Sequence, residues 1–146
     1  ILRLMSEEAD AGILNGANSD FKPIALENVL AARRLILNVP IPEDIETYIL
    51  HLVASTRKPG EYVPHMEKFI ESGAGPRATA ALANAARALA WIRGKREVSI
   101  DEVNELMLDV LAHRVVLNKA VASSQNLTVD KVLLALTSAV RQKLKI

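Results

Sequence analysis

The sequence predicts an all-α fold, a bundle of five or six helices with a short extended segment at Val39–Ile41, and three observations carry that prediction. Aromatic residues make up only 3% of a chain that is 50% apolar, so the core must be built from Leu, Ile, Val and Ala, a composition that favours helices. Apolar residues recur at three- and four-residue spacing in one segment after another. No stretch alternates as a β-hairpin would, and no two segments repeat. With 146 residues, the chain has the size of one ordinary domain. A chain of that length buries roughly two-thirds of its extended surface on folding.

Residues 1–9 read as the end of a helix, and "DAGILNGANSDFKP" at 10–23 as a linker dense in Gly, Asn, Asp and Ser. Leu26, Val29, Leu30, Arg33 and Leu37 then fall close to one helical stripe. "NVPIP" ends that helix, because Pro40 and Pro42 remove donors and extend the residues before them. Pro42 suits the first turn of the next helix, with Glu43 and Asp44 near its positive end and a stripe of Ile45, Tyr48, Ile49, Leu52 and Val53. "RKPGEYVP" at 57–64 is a loop, and "HMEKFIES" a short helix before Gly73 and Gly75 interrupt the pattern. From Pro76 to about Arg93 a helix aligns Ala78, Leu82, Ala85, Ala86, Leu89 and Ile92. Ser99 and Glu102 form an S-x-x-E capping box ahead of a stripe of Val103, Leu106, Met107, Val110 and Leu111. Thr128 or Asp130 opens the last helix, which carries Val129, Val132, Leu133, Leu136 and Val140.

Several function classes are disfavoured by what the sequence lacks. A formal charge of +1, from 18 basic and 17 acidic side chains, argues against a generally basic nucleic-acid binder. Without cysteine there is no disulfide, thiolate nucleophile or cysteine-bound zinc; that composition is compatible with the cytoplasm, the location expected here. No apolar run approaches the roughly 18–20 residues of a membrane span, and no signal-peptide pattern opens the chain. Starting at Ile1 in what already reads as helix, the segment is expected to come from a longer polypeptide. Lys95 follows Gly94, yet no glycine stands five positions earlier and no Ser or Thr follows, so the phosphate-cradling G-x-x-x-x-G-K-[ST] loop is missing. His51, His65 and His113 are scattered without metal-ligand spacing, and no metal is expected. No G-x-S-x-G elbow marks a nucleophile, so no catalytic residue is assigned. The cations of Thr56-Arg57-Lys58 and His113-Arg114 sit near helix ends, where positive charge simply complements the dipole.

One run resists such an explanation: Gly73-Ala74-Gly75-Pro76-Arg77. Pro76 fits a first helical position, and the two glycines allow a tight approach to it. Free backbone amides at that end attract anions, and an arginine there disfavours the isolated helix by a few tenths of a kcal/mol or more. A phosphate would remove that penalty, since guanidinium binds phosphate in a bidentate, charge-assisted way. Local physics leaves two alternatives: an Arg77 that snorkels over the surface, or one that pairs with Glu71.

Taken in order, the pieces resemble the carboxy-terminal lid of MoxR-type AAA+ ATPases. In that family a V-x-V piece leads into "YI..LV..TR", then "GASPRA", an alanine-rich helix ending in "GR", "V...DV" and "VL.HR". Here stand Val39-Pro40-Ile41, Tyr48-Ile49, Leu52-Val53, Thr56-Arg57, Gly73 to Ala78, Val98, Asp101 to Val103 and Val110 to Arg114. The likeness covers about residues 24–140. It implies an AAA+ lid fold over 24–146, with 1–23 leading from an ATPase core. Arg77 takes the position of the sensor-2 arginine, which contacts the ATP phosphates, and Gly75, Pro76 and Ala78 form its loop and helix start. Gly75 replaces the family's usual serine, which is expected to loosen the loop, and Lys95 takes either the role of the family's "GR" arginine or none.

By the same resemblance, the P-loop, Walker B acid, sensor 1, arginine finger and the Mg2+ that accompanies ATP belong to a core domain, and this segment alone is expected to be inactive. The family's chaperone-like work on protein complexes, its rings of like subunits and its von Willebrand factor A-domain partners become expectations for the parent. Alternatives are the lid of a magnesium-chelatase-like AAA+ subunit and a free-standing helical adaptor for partner proteins. A helix-turn-helix DNA binder using Arg87, Arg93, Lys95 and Arg96 is disfavoured by the balanced charge elsewhere.

Overall fold

The computed structural model describes residues 23–146. The helix end at 1–9, and all but the last residue of the linker at 10–23, lie outside the described residues. The chain divides into two units, residues 1–32 and 33–146. Among the described residues are six α-helices: α1 (Leu26–Leu37), α2 (Glu43–Arg57), α3 (Pro76–Ile92), α4 (Ile100–Leu111), α5 (Lys119–Ser124) and α6 (Val129–Leu144). The predicted all-α bundle is therefore what forms. Of these helices, only the short α5 lacks a counterpart in the sequence reading.

None of the residues of α1 is buried; Leu26, Val29, Leu30 and Leu37 are all exposed, so its stripe lies outside the core. The core belongs to the second unit. On α2 the predicted stripe of Ile45, Tyr48, Ile49, Leu52 and Val53 is wholly buried, and the helix packs against α3 and α6. Pro42 stands one residue earlier than predicted, as the N-cap, with Glu43, Asp44 and Glu46 in the first turn. Val103, Met107 and Leu111 of α4 are buried, as are Val132, Leu133, Leu136 and Val140 of α6. Thr128, not Asp130, caps α6, accepting a 3.3 Å bond from the Lys131 amide.

Along α3 the buried row runs Ala78, Leu82, Ala86, Ala90, whereas Ile92 is 71% exposed. A four-residue step overshoots one helical turn by about 40°, so a row at that spacing winds around the helix and leaves Ile92 behind. The small side chains let α4 approach closely, and α3–α4 is the most extensive helix pairing in the fold.

Extended structure occurs elsewhere than predicted. Val39–Ile41 forms no strand, although the Val98 amide donates to Pro40 O at 3.0 Å. Instead β1 (Ile70–Ser72) pairs antiparallel with β2 (Val116–Leu117), matching Ile70 with Leu117 and Ser72 with Val116. The helix predicted for "HMEKFIES" is thus a 3-10 turn at Met66–Lys68 followed by a strand. The partner of β1 lies more than forty residues along the chain, and a local pattern carries no sign of such a partner.

Candidate functional site

The Gly73–Arg77 loop is held by the end of α2. Thr56, in that helix's last turn and 1% exposed, donates its hydroxyl to Val53 O at 2.7 Å and accepts the Ala74 amide at 2.9 Å. Gly73 lies against the same residue: a Cβ placed on it would stand 2.2 Å from Thr56 O and 2.7 Å from the Arg57 amide nitrogen. No side chain fits there, which is why this position is glycine. Gly75 differs. It takes an extended conformation at the α3 N-cap (φ −81°, ψ 178°), and an added Cβ would meet nothing within 4 Å. The expectation that both glycines serve a tight approach is therefore corrected: Gly73 does, and Gly75 does not.

Past Gly75, Pro76 occupies the first turn of α3 and Ala78 is buried beneath it. Arg77 is exposed, with no ion pair or side-chain hydrogen bond among the described residues, so the pairing with Glu71 considered above does not occur. Among the described residues no side chain caps α3, and no acidic residue lies in its first turn. By contrast, α2 begins with three acids, α4 with a capping box and α6 with a threonine cap. The result is a positive end: amides uncompensated by any described side chain, beside a guanidinium that reaches solvent.

At the opposite end of α3 the cations have partners. Gly94 (φ 67°) closes the helix, its amide donating to Trp91 O at 3.0 Å while the Lys95 amide donates to Ala90 O at 2.9 Å, the two bonds of a Schellman motif. Lys95 Nζ then reaches Glu102 Oε1 at 2.7 Å and Ser99 Oγ at 3.0 Å. Arg93 bonds Glu102 at 3.2 Å and Glu105 at 2.7 Å. The capping box is present, with the Ser99 amide and hydroxyl donating to Glu102 Oε2 at 3.0 and 2.7 Å. Glu102 is fully buried, and burial opposes its ionisation. The Lys95 and Ser99 side chains, the Ser99 amide and Arg93 outweigh that opposition and hold the carboxyl at about 2. Lys95 thus ties α3 to α4.

Arg87 donates to Val39 O at 3.1 Å, so three of the four cations considered for DNA contact are spent on the fold itself. Arg114 donates to Val110 O at 3.0 Å, a helix-end role as expected. The sequence reading missed Thr56, whose hydroxyl belongs to the loop as much as to its own helix. It also missed the charge cluster around Glu102. The capping box pointed to that carboxylate but not to its burial. Among the described residues no three His, Asp or Glu gather as metal ligands, and no helix is long and apolar enough to cross a membrane.

Comparison with known proteins fits this arrangement. The family profile described as "AAA lid domain" matches residues 65–133, which takes in the loop, α3 and α4. The chain carries a lid domain of the AAA class. It is 33% identical over 91 residues to Chaperone MoxR1 of Mycobacterium tuberculosis, covering 62% of this chain and 24% of that protein. Against Protein MoxR of Methylorubrum extorquens it is 28% identical over 118 residues, covering 77% of this chain and 32% of the other. A crystal structure of a candidate ATPase from Cytophaga hutchinsonii superposes with a TM-score of 0.77 at 29% identity, over 92% of this chain and 42% of that one. These likenesses make the lid similar to that of MoxR-type AAA+ proteins. The matches span about a quarter to a third of the curated relatives' length.

Proposed function

We propose that this domain is the sensor-2 lid of a MoxR-type AAA+ ATPase, with Arg77 as the residue that reads the nucleotide phosphates. The observation that carries the reading is an exposed Arg77, unpaired among the described residues, at a helix start that no side chain caps or neutralises, on the loop where this family places its sensor. Gly75, Pro76 and Ala78 set the backbone from which Arg77 projects. The lid is placed at 24–146, with 1–23 joining it to a core that holds ATP and Mg2+. A γ-phosphate in that core draws Arg77 and α3 inward, and hydrolysis releases them. The lid then acts as a lever within a ring of like subunits. The name of the relative Chaperone MoxR1 supports chaperone-like maturation or assembly of protein complexes as the output. Proteins with von Willebrand factor A domains are the partners to test first.

The test is ATP turnover by the full-length protein carrying Arg77→Ala. Turnover should fall at least about tenfold, since one lost charge-assisted contact to the transferring phosphoryl group is typically worth that much or more. The fold should be unaffected. Unchanged turnover would remove Arg77 from the mechanism.

A further inference from the structure

We infer that Thr56 is a positioning residue for Arg77: its hydroxyl fixes the loop that aims the arginine at the nucleotide. This rests on the reading of Arg77 given above. Loop and helix end meet twice, through the 2.9 Å bond from the Ala74 amide to Thr56 Oγ1 and through the seating of Gly73 on the Thr56 carbonyl. Ala74 is 1% exposed, so its amide has no water to turn to if the hydroxyl is lost. The hydroxyl in turn has its direction set, because its proton goes to Val53 O at 2.7 Å and only its lone pairs face the loop. Only Gly75 and Pro76 separate this anchored pair from Arg77, and Pro76 has a fixed φ. The position of the arginine Cα therefore follows the end of α2. Arg77 makes no side-chain bond of its own among the described residues, so the backbone anchor is what limits where its guanidinium can reach.

A threonine that serves only packing would be replaceable by valine, which has nearly the same shape. A threonine that positions Arg77 would be replaceable by serine, which keeps the hydroxyl. The experiment measures ATP and ADP affinities of the full-length protein bearing Thr56→Val, Thr56→Ala, Thr56→Ser or Arg77→Ala, each well below its melting temperature. Arg77→Ala should abolish most of the preference for ATP over ADP. Thr56→Val and Thr56→Ala should each reduce that preference about fivefold, the equivalent of one hydrogen bond, while Thr56→Ser retains it. Should Thr56→Val not fold, Thr56→Ala set against Thr56→Ser answers the same question. Full ATP preference in a folded variant lacking the hydroxyl, or equal loss in Thr56→Ser, overturns the role of Thr56. If Arg77→Ala itself keeps the preference, the sensor reading is what has failed.

Discussion

Gly73 and Gly75 lie two positions apart and respond oppositely to an added methyl group. At Gly73 it would collide with the backbone of Thr56 and Arg57, so Gly73→Ala should destabilise the lid by about 1–3 kcal/mol, read from its denaturant midpoint. At the α3 N-cap, Gly75→Ser should be neutral or gain a few tenths of a kcal/mol, because a serine hydroxyl caps the first-turn amides that glycine leaves uncapped. The sequence displayed both glycines, but not which one touches another element, since that contact comes from a helix end sixteen residues away. Glu102 is a second residue whose surroundings matter more than its position. Its folded value of about 2 lies below the ordinary 4.5, so its contribution is complete above about pH 4.5 and drains away as pH falls toward 2. Glu102→Gln should cost about 3 kcal/mol at pH 7 and much less at pH 2, as chemical denaturation at the two pH values would register.

At the level of elements, α3 is a rod of 17 residues, about 25 Å long, with a cation unpaired among the described residues at one tip and three ion pairs at the other. Pro76 at its start and Gly94 past its end were both legible in the sequence, as was the S-x-x-E box that begins α4. The buried face was less so. Spacing aligns Ile92 with the apolar stripe, yet the buried row of Ala78, Leu82, Ala86 and Ala90 turns away from it. Two substitutions separate these readings by thermal melting. Ala86→Leu should overpack the core around α3 and cost about 1–3 kcal/mol. Ile92→Ala should lie within about 0.5 kcal/mol of the parent. The β1–β2 ribbon was not legible, because two or three residues that pair across more than forty carry too little local signal. The short α5 escaped for the same want of length, at 6 residues.

For the whole molecule, the physical arrangement suggests rigidity with one end left open. Thr56 fixes the loop to α2, and Tyr48 of α2, fully buried, donates to Asn104 of α4 at 2.6 Å. The Glu102 cluster then joins α4 back to α3. Pulling on Arg77 would therefore move α2, α3 and α4 together, which is the behaviour a lever requires. Burial raises the Tyr48 hydroxyl to about 12, with Arg141 opposing, so the Tyr48–Asn104 bond stays protonated through any physiological pH. The helical class, the order of motifs and the place of Arg77 at a helix start are readable from sequence, whereas the sensor role expected of Arg77 comes from resemblance. What the structure adds is that Arg77 has no partner among the described residues, whereas Arg87, Arg93 and Lys95, farther along the same helix and just past its end, each have one.

The most direct test is a structure of the full-length protein bound to a non-hydrolysable ATP analogue, and the quantity to measure is the distance from the Arg77 guanidinium to the phosphate oxygens. This account predicts about 3 Å to at least one of them, within charge-assisted hydrogen-bond range. A bound triphosphate with Arg77 turned away, its phosphates contacted only by other side chains, would contradict it.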